Sequence, residues 1–203
     1  MGKLMKRAFL CLTLAVFFWS WTILRDRLIL NENVIRLHVV ANSDDEKDQN
    51  IKLQVRDAVI ASIQKDLENV SDISAAKEYL NRNLSRIKAA AEETLEKFGF
   101  DYDVAVTLCK EAFDTRVYDT FTLPAGVYEA LRVTIGEGTG KNWWCVVFPS
   151  LCIPATTEGV ASTAAGAGFS DTLSQALTEE RSYKVRFYLL DKLGQWENMF
   201  FDE

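Results

Sequence analysis

The stretch Asn33–Asn42, NVIRLHVVAN, alternates apolar and polar side chains. Such alternation is typical of a half-buried strand with one apolar and one polar face. The apolar face carries Ile35, Leu37 and Val39, and the polar face carries Arg36 and His38. The next residues, Ser43–Glu46, have the S-x-x-E pattern of a capping box, in which a hydroxyl and a carboxylate bond the free amides of a helix start. A helix is therefore predicted to follow at once, as far as about Leu67.

The remainder of the chain continues with helix and then changes to strand. A second helical region is predicted from Ser74, as its N-cap, to Phe98, because apolar residues recur every three or four positions before Gly99. Asn and Arg residues weaken its middle, so two shorter helices remain an alternative to one long helix. From Tyr102 the apolar period is two, which indicates strands. The predicted strands are residues 102–108, 115–122, 127–135 and 143–148. This order predicts an α+β fold, with helices packed on one face of a mainly antiparallel sheet whose later strands form a β-meander.

The N-terminal segment combines three basic residues with the uncharged run Ala8–Leu24, AFLCLTLAVFFWSWTIL. A basic region before an apolar run is typical of a signal peptide. As a helix the run would extend about 25 Å, close to the roughly 30 Å apolar thickness of a membrane. No small-x-small cleavage site follows, so a signal peptide and a retained anchor both stay open. Because basic flanks stay in the cytoplasm, the chain after Arg27 is expected outside, with membrane contact through residues 8–24.

The charge of the body argues against a nucleic-acid partner. The formal net charge is −6, but the chain after Arg27 has 18 basic and 28 acidic residues, a net charge of −10. Binding to phosphates needs clustered Lys and Arg, and the body has no such cluster. We therefore expect no binding to nucleic acid.

Composition divides the chain into four predicted segments. Residues 1–30 form a signal peptide or membrane anchor, and residues 31–154 form the α+β domain. Residues 155–182 are rich in Ala, Gly, Thr and Ser and are predicted to be a flexible connector. Residues 183–203 regain large apolar side chains and are predicted to form a helix, or a strand followed by a helix.

Side chains that could carry catalysis are scarce. His38 is the single histidine, and its pairing with Cys145 would make the chain an exported Cys-dependent hydrolase or thiol enzyme. That alternative requires the two side chains to approach within about 4 Å. One histidine with scattered cysteines does not make a zinc site, and no pattern for another metal or a cofactor is present.

Cys145 and Cys152 flank six residues that include Pro149. Thiols outside the cytoplasm tend to oxidise, so a disulfide between these two cysteines is predicted, with Cys109 reduced and buried. Free buried thiols remain the alternative, because cysteines on one extended stretch stand too far apart unless the proline turns the chain.

Two adjacent tryptophans indicate an interaction surface. Strand alternation directs Trp143 and Trp144 to opposite faces, so one of them is hard to bury unless a partner covers it. Core packing is the alternative for these side chains. The predicted partner-binding residues are Asn142, Trp143, Trp144 and Phe148, together with Pro124, Gly126 and Tyr128 of a turn expected beside them.

Four motifs in the same order together resemble the stage II sporulation protein R family. They are residues 33–44, NVIRLHVVANSD, residues 53–59, LQVRDAV, residues 123–136, LPAGVYEALRVTIG, and residues 140–152, GKNWWCVVFPSLC. The resemblance implies a signalling protein made in the forespore of endospore-forming bacteria and exported into the space between the forespore and mother-cell membranes. It implies that the protein triggers a membrane-embedded aspartic protease of the mother cell, which processes the precursor of sigma factor E. No catalytic residue and no cofactor comes with the resemblance, and the oligomeric state stays open.

Overall fold

The computed structural model describes residues 2–70, 72–118, 122–149 and 184–201. The helices in these ranges are α1 Gly2–Asn33, α2 Glu46–Leu67, α3 Ile73–Lys97 and α4 Lys184–Phe201. The strands are β1 Ile35–Val40, β2 Val104–Phe113, β3 Arg116–Val117, β4 Thr122–Leu123, β5 Gly126–Ile135 and β6 Asn142–Phe148. The predicted connector, residues 155–182, lies outside the described residues.

The main sheet has the strand order β2-β5-β1-β6. β1 is parallel to β5 and antiparallel to β6, and β2 is antiparallel to β5. The predicted α+β class with a mainly antiparallel sheet is confirmed. The predicted β-meander is wrong, because β1 lies between β5 and β6 although those two strands follow each other in sequence. The strand predicted over residues 115–122 is divided into β3 and β4, which pair with each other.

Strand β1 lies inside the sheet, between β5 and β6, and both of its faces are covered. All six of its residues are buried, including the two on its polar face. Arg36 is fully buried, and its guanidinium carbon lies 4.0 Å from the ring centre of Phe113 and 5.2 Å from that of Tyr128. Its Nη2 donates to the Tyr118 hydroxyl at 3.1 Å. On a half-buried strand the arginine would contact water; here its guanidinium contacts aromatic rings.

Helices α2 and α3 cover one face of the sheet and make the larger core. Their contribution includes Val55, Val59, Ile63, Leu80 and Ile87, which pack with Leu37, Leu131 and Val133 of the strands. A smaller cluster on the opposite face consists of Leu30, Val34, Phe113, Leu123, Tyr128, Ala130 and Val146. Because Leu30 belongs to α1 and is fully buried, the C-terminal part of α1 is a component of the folded body.

The helix starts differ from the predicted caps. α2 begins at Glu46 with Asp45 as N-cap and without a side-chain cap, so the predicted capping box does not form. Ser43 Oγ instead donates to Asp48 Oδ2 at 2.7 Å and accepts from the Asp45 amide at 3.1 Å. α3 is one continuous helix whose N-cap is Asp72, which accepts from the Ala75 amide at 2.9 Å.

Candidate partner-binding site

Strand β6 lies at one edge of the sheet formed by the described strands, and the contacts of its two tryptophans lie on opposite faces. Arg56 of α2 stacks on Trp143, with 4.3 Å from its guanidinium carbon to the ring centre. Arg116 of β3 stacks on Trp144 at 3.6 Å, and the His38 ring lies 5.7 Å from it. Trp143 remains 38% exposed and Trp144 is half-buried. Each face of this strand therefore presents an aromatic ring beside an arginine.

The start of β6 is fixed by contacts with α2 and with the segment between β1 and α2. Lys52 Nζ donates to the Lys141 carbonyl at 2.9 Å, and the Lys141 amide donates to Asp44 Oδ1 at 2.7 Å. A Cβ on Gly140 would lie 2.2 Å from the Ser43 carbonyl oxygen, so only glycine allows this approach. Burial lowers the pKa of Lys52. This packing fixes the chain directly before Asn142 and the two tryptophans.

The accessible part of β6 is its first half. Asn142 and Trp143 are exposed, whereas Phe148 is 5% exposed and belongs to the larger core. Phe148 is thus placed to stabilise the sheet, and within β6 the Asn142–Trp144 end has the exposure that contact with a partner would need.

The turn residues predicted to lie beside the tryptophans lie at the other end of the sheet. Val40 of β1 pairs with both Thr134 and Asn142, whereas Ile35 pairs with both Glu129 and Phe148. Five residues of strand separate these pairs, which is roughly 17 Å. Along the strands the turn is therefore offset from the Asn142–Trp144 end, although Trp144 packs against the smaller core cluster that includes Leu123 and Tyr128.

The turn itself is buried. Pro124, Gly126 and Tyr128 are all buried, and the Tyr128 hydroxyl donates to the Pro124 carbonyl at 2.9 Å. Burial also raises the pKa of Tyr128. These residues lack the exposure that direct contact with a partner would need.

Helix α4 packs directly on this turn. A Cβ on Gly194 would lie 1.7 Å from the Ala125 carbonyl oxygen, so the helix backbone touches the turn backbone. The Asp191 carboxylate accepts from the Ala125 amide at 3.1 Å and from the Thr115 hydroxyl. Asn198 Nδ2 donates to the Phe113 carbonyl at 2.9 Å. This role of α4 was not predicted from the sequence, although polar or small residues at about every third position, 191, 194 and 197/198, form a stripe that could have indicated it.

One carboxylate joins α4 to both α1 and β5. Glu197 Oε2 accepts from Arg27 Nη2 at 2.5 Å, from Asn31 Nδ2 at 3.3 Å and from the Val127 amide at 3.2 Å. The pair with Arg27 is partly buried, with side-chain exposures of 16% for the arginine and 40% for the glutamate. We call this set of four residues the α1–α4 junction.

The Cys–His enzyme alternative is wrong on geometry. Cys145 pairs with Leu37, and both lie in the core beneath α2 and α3. His38 pairs with Trp144 and so lies on the opposite face of the sheet. Cys145 is also disulfide-bonded and therefore has no free thiol.

The remaining cysteines differ in exposure. Cys11 and Cys109 are free; Cys109 is half-buried, and burial raises the pKa of its thiol. Cys152 lies outside the described residues, so the pairing of Cys145 with Cys152 stays a prediction.

His38 instead belongs to a polar cluster with Glu111 and Arg132. Its Nδ1 lies 2.8 Å from Glu111 Oε2, and Arg132 Nη1 donates to Glu111 Oε1 at 2.7 Å. Burial by itself would raise the pKa of Glu111, but the hydrogen bonds and charges of His38 and Arg132 lower it below its ordinary value. Within the described ranges, no three His, Cys, Asp or Glu side chains are grouped so that they could hold a metal ion.

Helix α1 has the length and composition needed to cross a membrane. Only 6% of its most apolar 18-residue window is buried against the rest of the protein. A core helix would be mostly covered, so the exposed run fits a signal sequence or an anchor.

Comparison with known proteins agrees with the four motifs of the sequence. The model of the family described as Stage II sporulation protein R matches residues 31–158, which is more than half of the chain. Stage II sporulation protein R of Bacillus subtilis (strain 168) is 40% identical over 134 residues, which cover 66% of this chain and 60% of that relative. No solved structure is significantly similar. The chain therefore belongs to the stage II sporulation protein R family.

Proposed function

We propose that this protein is an exported sporulation signal that activates a membrane-embedded aspartic protease of the mother cell. Activation leads to processing of the precursor of sigma factor E. The observation that carries the proposal is membership of the stage II sporulation protein R family, which is named for sporulation and not for an enzymatic activity. The fold is consistent with signalling by binding, because the Cys–His pair that would have supported a thiol enzyme lies on two faces of the sheet.

The proposed location is the space between the forespore and mother-cell membranes. Lys3, Lys6 and Arg7 precede the exposed apolar part of α1, so these residues stay in the forespore cytoplasm and the body is exported. We propose that α1 is retained as an anchor, because its C-terminal part is built into the body through Leu30 and the α1–α4 junction. Cleavage after residue 30 would remove Leu30 and Arg27 from contacts that the fold uses.

The proposed contact with the protease is the Asn142–Trp144 end of β6. An exposed tryptophan held by packing offers a large apolar area at little conformational cost, and such residues commonly dominate binding energy. Arg56 and Arg116 stack on the two rings, but Arg56 is also paired with Asp57, with 2.7 Å between Arg56 Nη2 and Asp57 Oδ1. The surface therefore suits a partner segment with apolar side chains, and an acidic group of that segment would pair best with Arg116.

Co-expression in a host that does not sporulate tests the proposal. The protease and the sigma factor precursor would be produced with and without this chain, and processing would be measured by the change in precursor size. We expect processing only when the chain is present. A folded His38→Gln protein should keep this activity, since His38 is mostly covered and lies beneath Trp144 with its ring stacked on that side chain.

Processing without the chain would contradict the proposal. So would a loss of processing in a stably folded His38→Gln protein while proteins lacking either tryptophan stay active.

A further inference from the structure

The C-terminal end of α4 carries an apolar surface that no described element covers. Its side chains are Trp196, Met199, Phe200 and Phe201, with exposed fractions of 67%, 66%, 73% and 45%. Residues 196, 199 and 200 are three and four positions apart and so share one face of the helix. We call these four residues the α4 apolar end.

The α4 apolar end lies beside the part of α1 that would leave a membrane. Glu197, within this end of the helix, bonds to Arg27 and Asn31 of α1. A cavity of about 360 Å³ lies at the same place, and its lining includes Trp21, Leu24 and Leu28 of α1 together with Glu197. The two helices therefore expose apolar side chains on adjoining surfaces.

The sequence of α1 indicates where this contact lies relative to the outer surface of the membrane. Arg25 and Arg27 are the first basic residues after the uncharged run and mark the outer surface of a membrane that α1 crosses. Phe200 and Phe201 follow Glu197 by three and four residues, which is about 4.5–6 Å of helix. They therefore lie within about one helical turn of the level of Arg27.

We propose that the α4 apolar end inserts into the outer surface of the same membrane that α1 crosses. The body is then held to the lipid at two points. A lipid surface fits as the occupant because tryptophan and phenylalanine favour the interface, the adjoining α1 side chains are themselves apolar, and the exposed Arg25 suits the phosphates of headgroups. The inference rests on the retained anchor of the proposed function and is independent of protease activation.

Lipid-borne quenchers can test this contact on the full-length chain. Cys11 and Cys109 would be replaced by Ser, and a single new cysteine at Phe200→Cys would carry an environment-sensitive fluorophore. The protein would be reconstituted into vesicles of phosphatidylcholine and phosphatidylglycerol containing a doxyl-labelled lipid. The matched control is Glu137→Cys, an exposed position in the turn between β5 and β6. That turn follows the end of β5 remote from α4, roughly 30 Å along the strand from Gly126.

We expect the lipid quencher to reduce emission about fivefold more at residue 200 than at residue 137, because only the former lies in the interface. A probe at Met199→Cys should repeat the result and covers the case in which one variant misfolds. Equal, weak quenching at residues 199, 200 and 137 would overturn the inference. The inference would also be overturned if the fluorophore at residue 200 became shielded from solvent only on addition of another protein and not on addition of lipid.

A probe at Trp21→Cys separates this inference from the anchor. Strong quenching at residue 21 without quenching at residue 200 refutes the second contact alone. Weak quenching at both positions refutes the anchor together with the inference. Neither result depends on sigma factor processing, which is measured separately.

Discussion

Gly194→Ala should separate α4 from the turn on which it packs. The new Cβ would lie 1.7 Å from the Ala125 carbonyl oxygen and 2.3 Å from its carbonyl carbon. Both atoms belong to the backbone, so the helix must move by more than 1 Å to restore ordinary contact distances near 3.5 Å. Such a movement breaks the hydrogen bonds from the Ala125 and Val127 amides to the carboxylates of α4, which are 3.1 and 3.2 Å long.

The expected cost follows from two opposing effects. Replacing glycine by alanine within a helix favours folding by about 1 kcal/mol. Losing two hydrogen bonds to carboxylates costs about 1.5–3 kcal/mol each. The net loss in free energy of unfolding is therefore about 2–5 kcal/mol, and the two amides should exchange hydrogen faster. Thermal unfolding and amide exchange would measure these effects, with Lys192→Ala, an exposed position on the same helix, as control. A Gly194→Ala protein about 1 kcal/mol more stable, with both amides still protected, would refute the packing described here.

The other predictions concern the second core and the polar cluster. Leu30→Ala should lower the free energy of unfolding by about 2–5 kcal/mol, because Leu30 is fully buried. Leu28 is 58% exposed, so Leu28→Ala should change the free energy of unfolding little when both variants are unfolded by chemical denaturant. Glu111→Gln should cost about 1–3 kcal/mol at pH 7, because it removes the charge that His38 and Arg132 bond. The lowered pKa of Glu111 means that its stabilisation is present above its ordinary pKa and lost as pH falls through the lower folded value. Stability curves from pH 7 to pH 3 should therefore converge for wild type and Glu111→Gln, and parallel curves would contradict the assignment.

The sequence predicted those parts of the fold that depend on local periodicity. The apolar stripes of α2 and α3, the exposed run of α1 and most strand positions follow from spacing along the chain. The place of β1 could not be predicted in this way. The polar side of that strand is covered by Phe113 and Tyr128, which are distant in sequence and stack on Arg36. The parallel pairing of β1 with β5 is likewise a contact between remote segments. Because of it, the sheet is mixed and is not the β-meander that the sequence predicted.

The candidate site, too, was predicted only where it depends on local periodicity. Alternation correctly indicated that Trp143 and Trp144 face opposite sides of β6. It could not show that the Pro124–Tyr128 turn lies at the other end of the sheet, because that depends on the register between β1 and its two neighbours. The covering of the turn by α4 depends on the close approach at Gly194, which composition does not reveal.

The β6 tryptophans can be compared with an exposed aromatic residue elsewhere on the body. Phe98, at the C-terminal end of α3, is 51% exposed and serves as the matched position. Replacing the accessible Trp143 by Ala should cost on the order of 2 kcal/mol in partner binding, about thirtyfold in affinity. The melting temperature should change little, because the residue makes one cation–π contact and is partly exposed.

Dose-dependent precursor processing is the measurement that tests the central claim most directly. Wild type, Trp143→Ala, Trp144→Ala and Phe98→Ala proteins would be titrated against the protease and the sigma factor E precursor, with folding confirmed by thermal unfolding. The account predicts that wild type and Phe98→Ala drive processing at the same dose, whereas a folded tryptophan variant needs roughly thirtyfold more protein. Processing by both tryptophan variants at the wild-type dose, or no processing by the wild type, would contradict it.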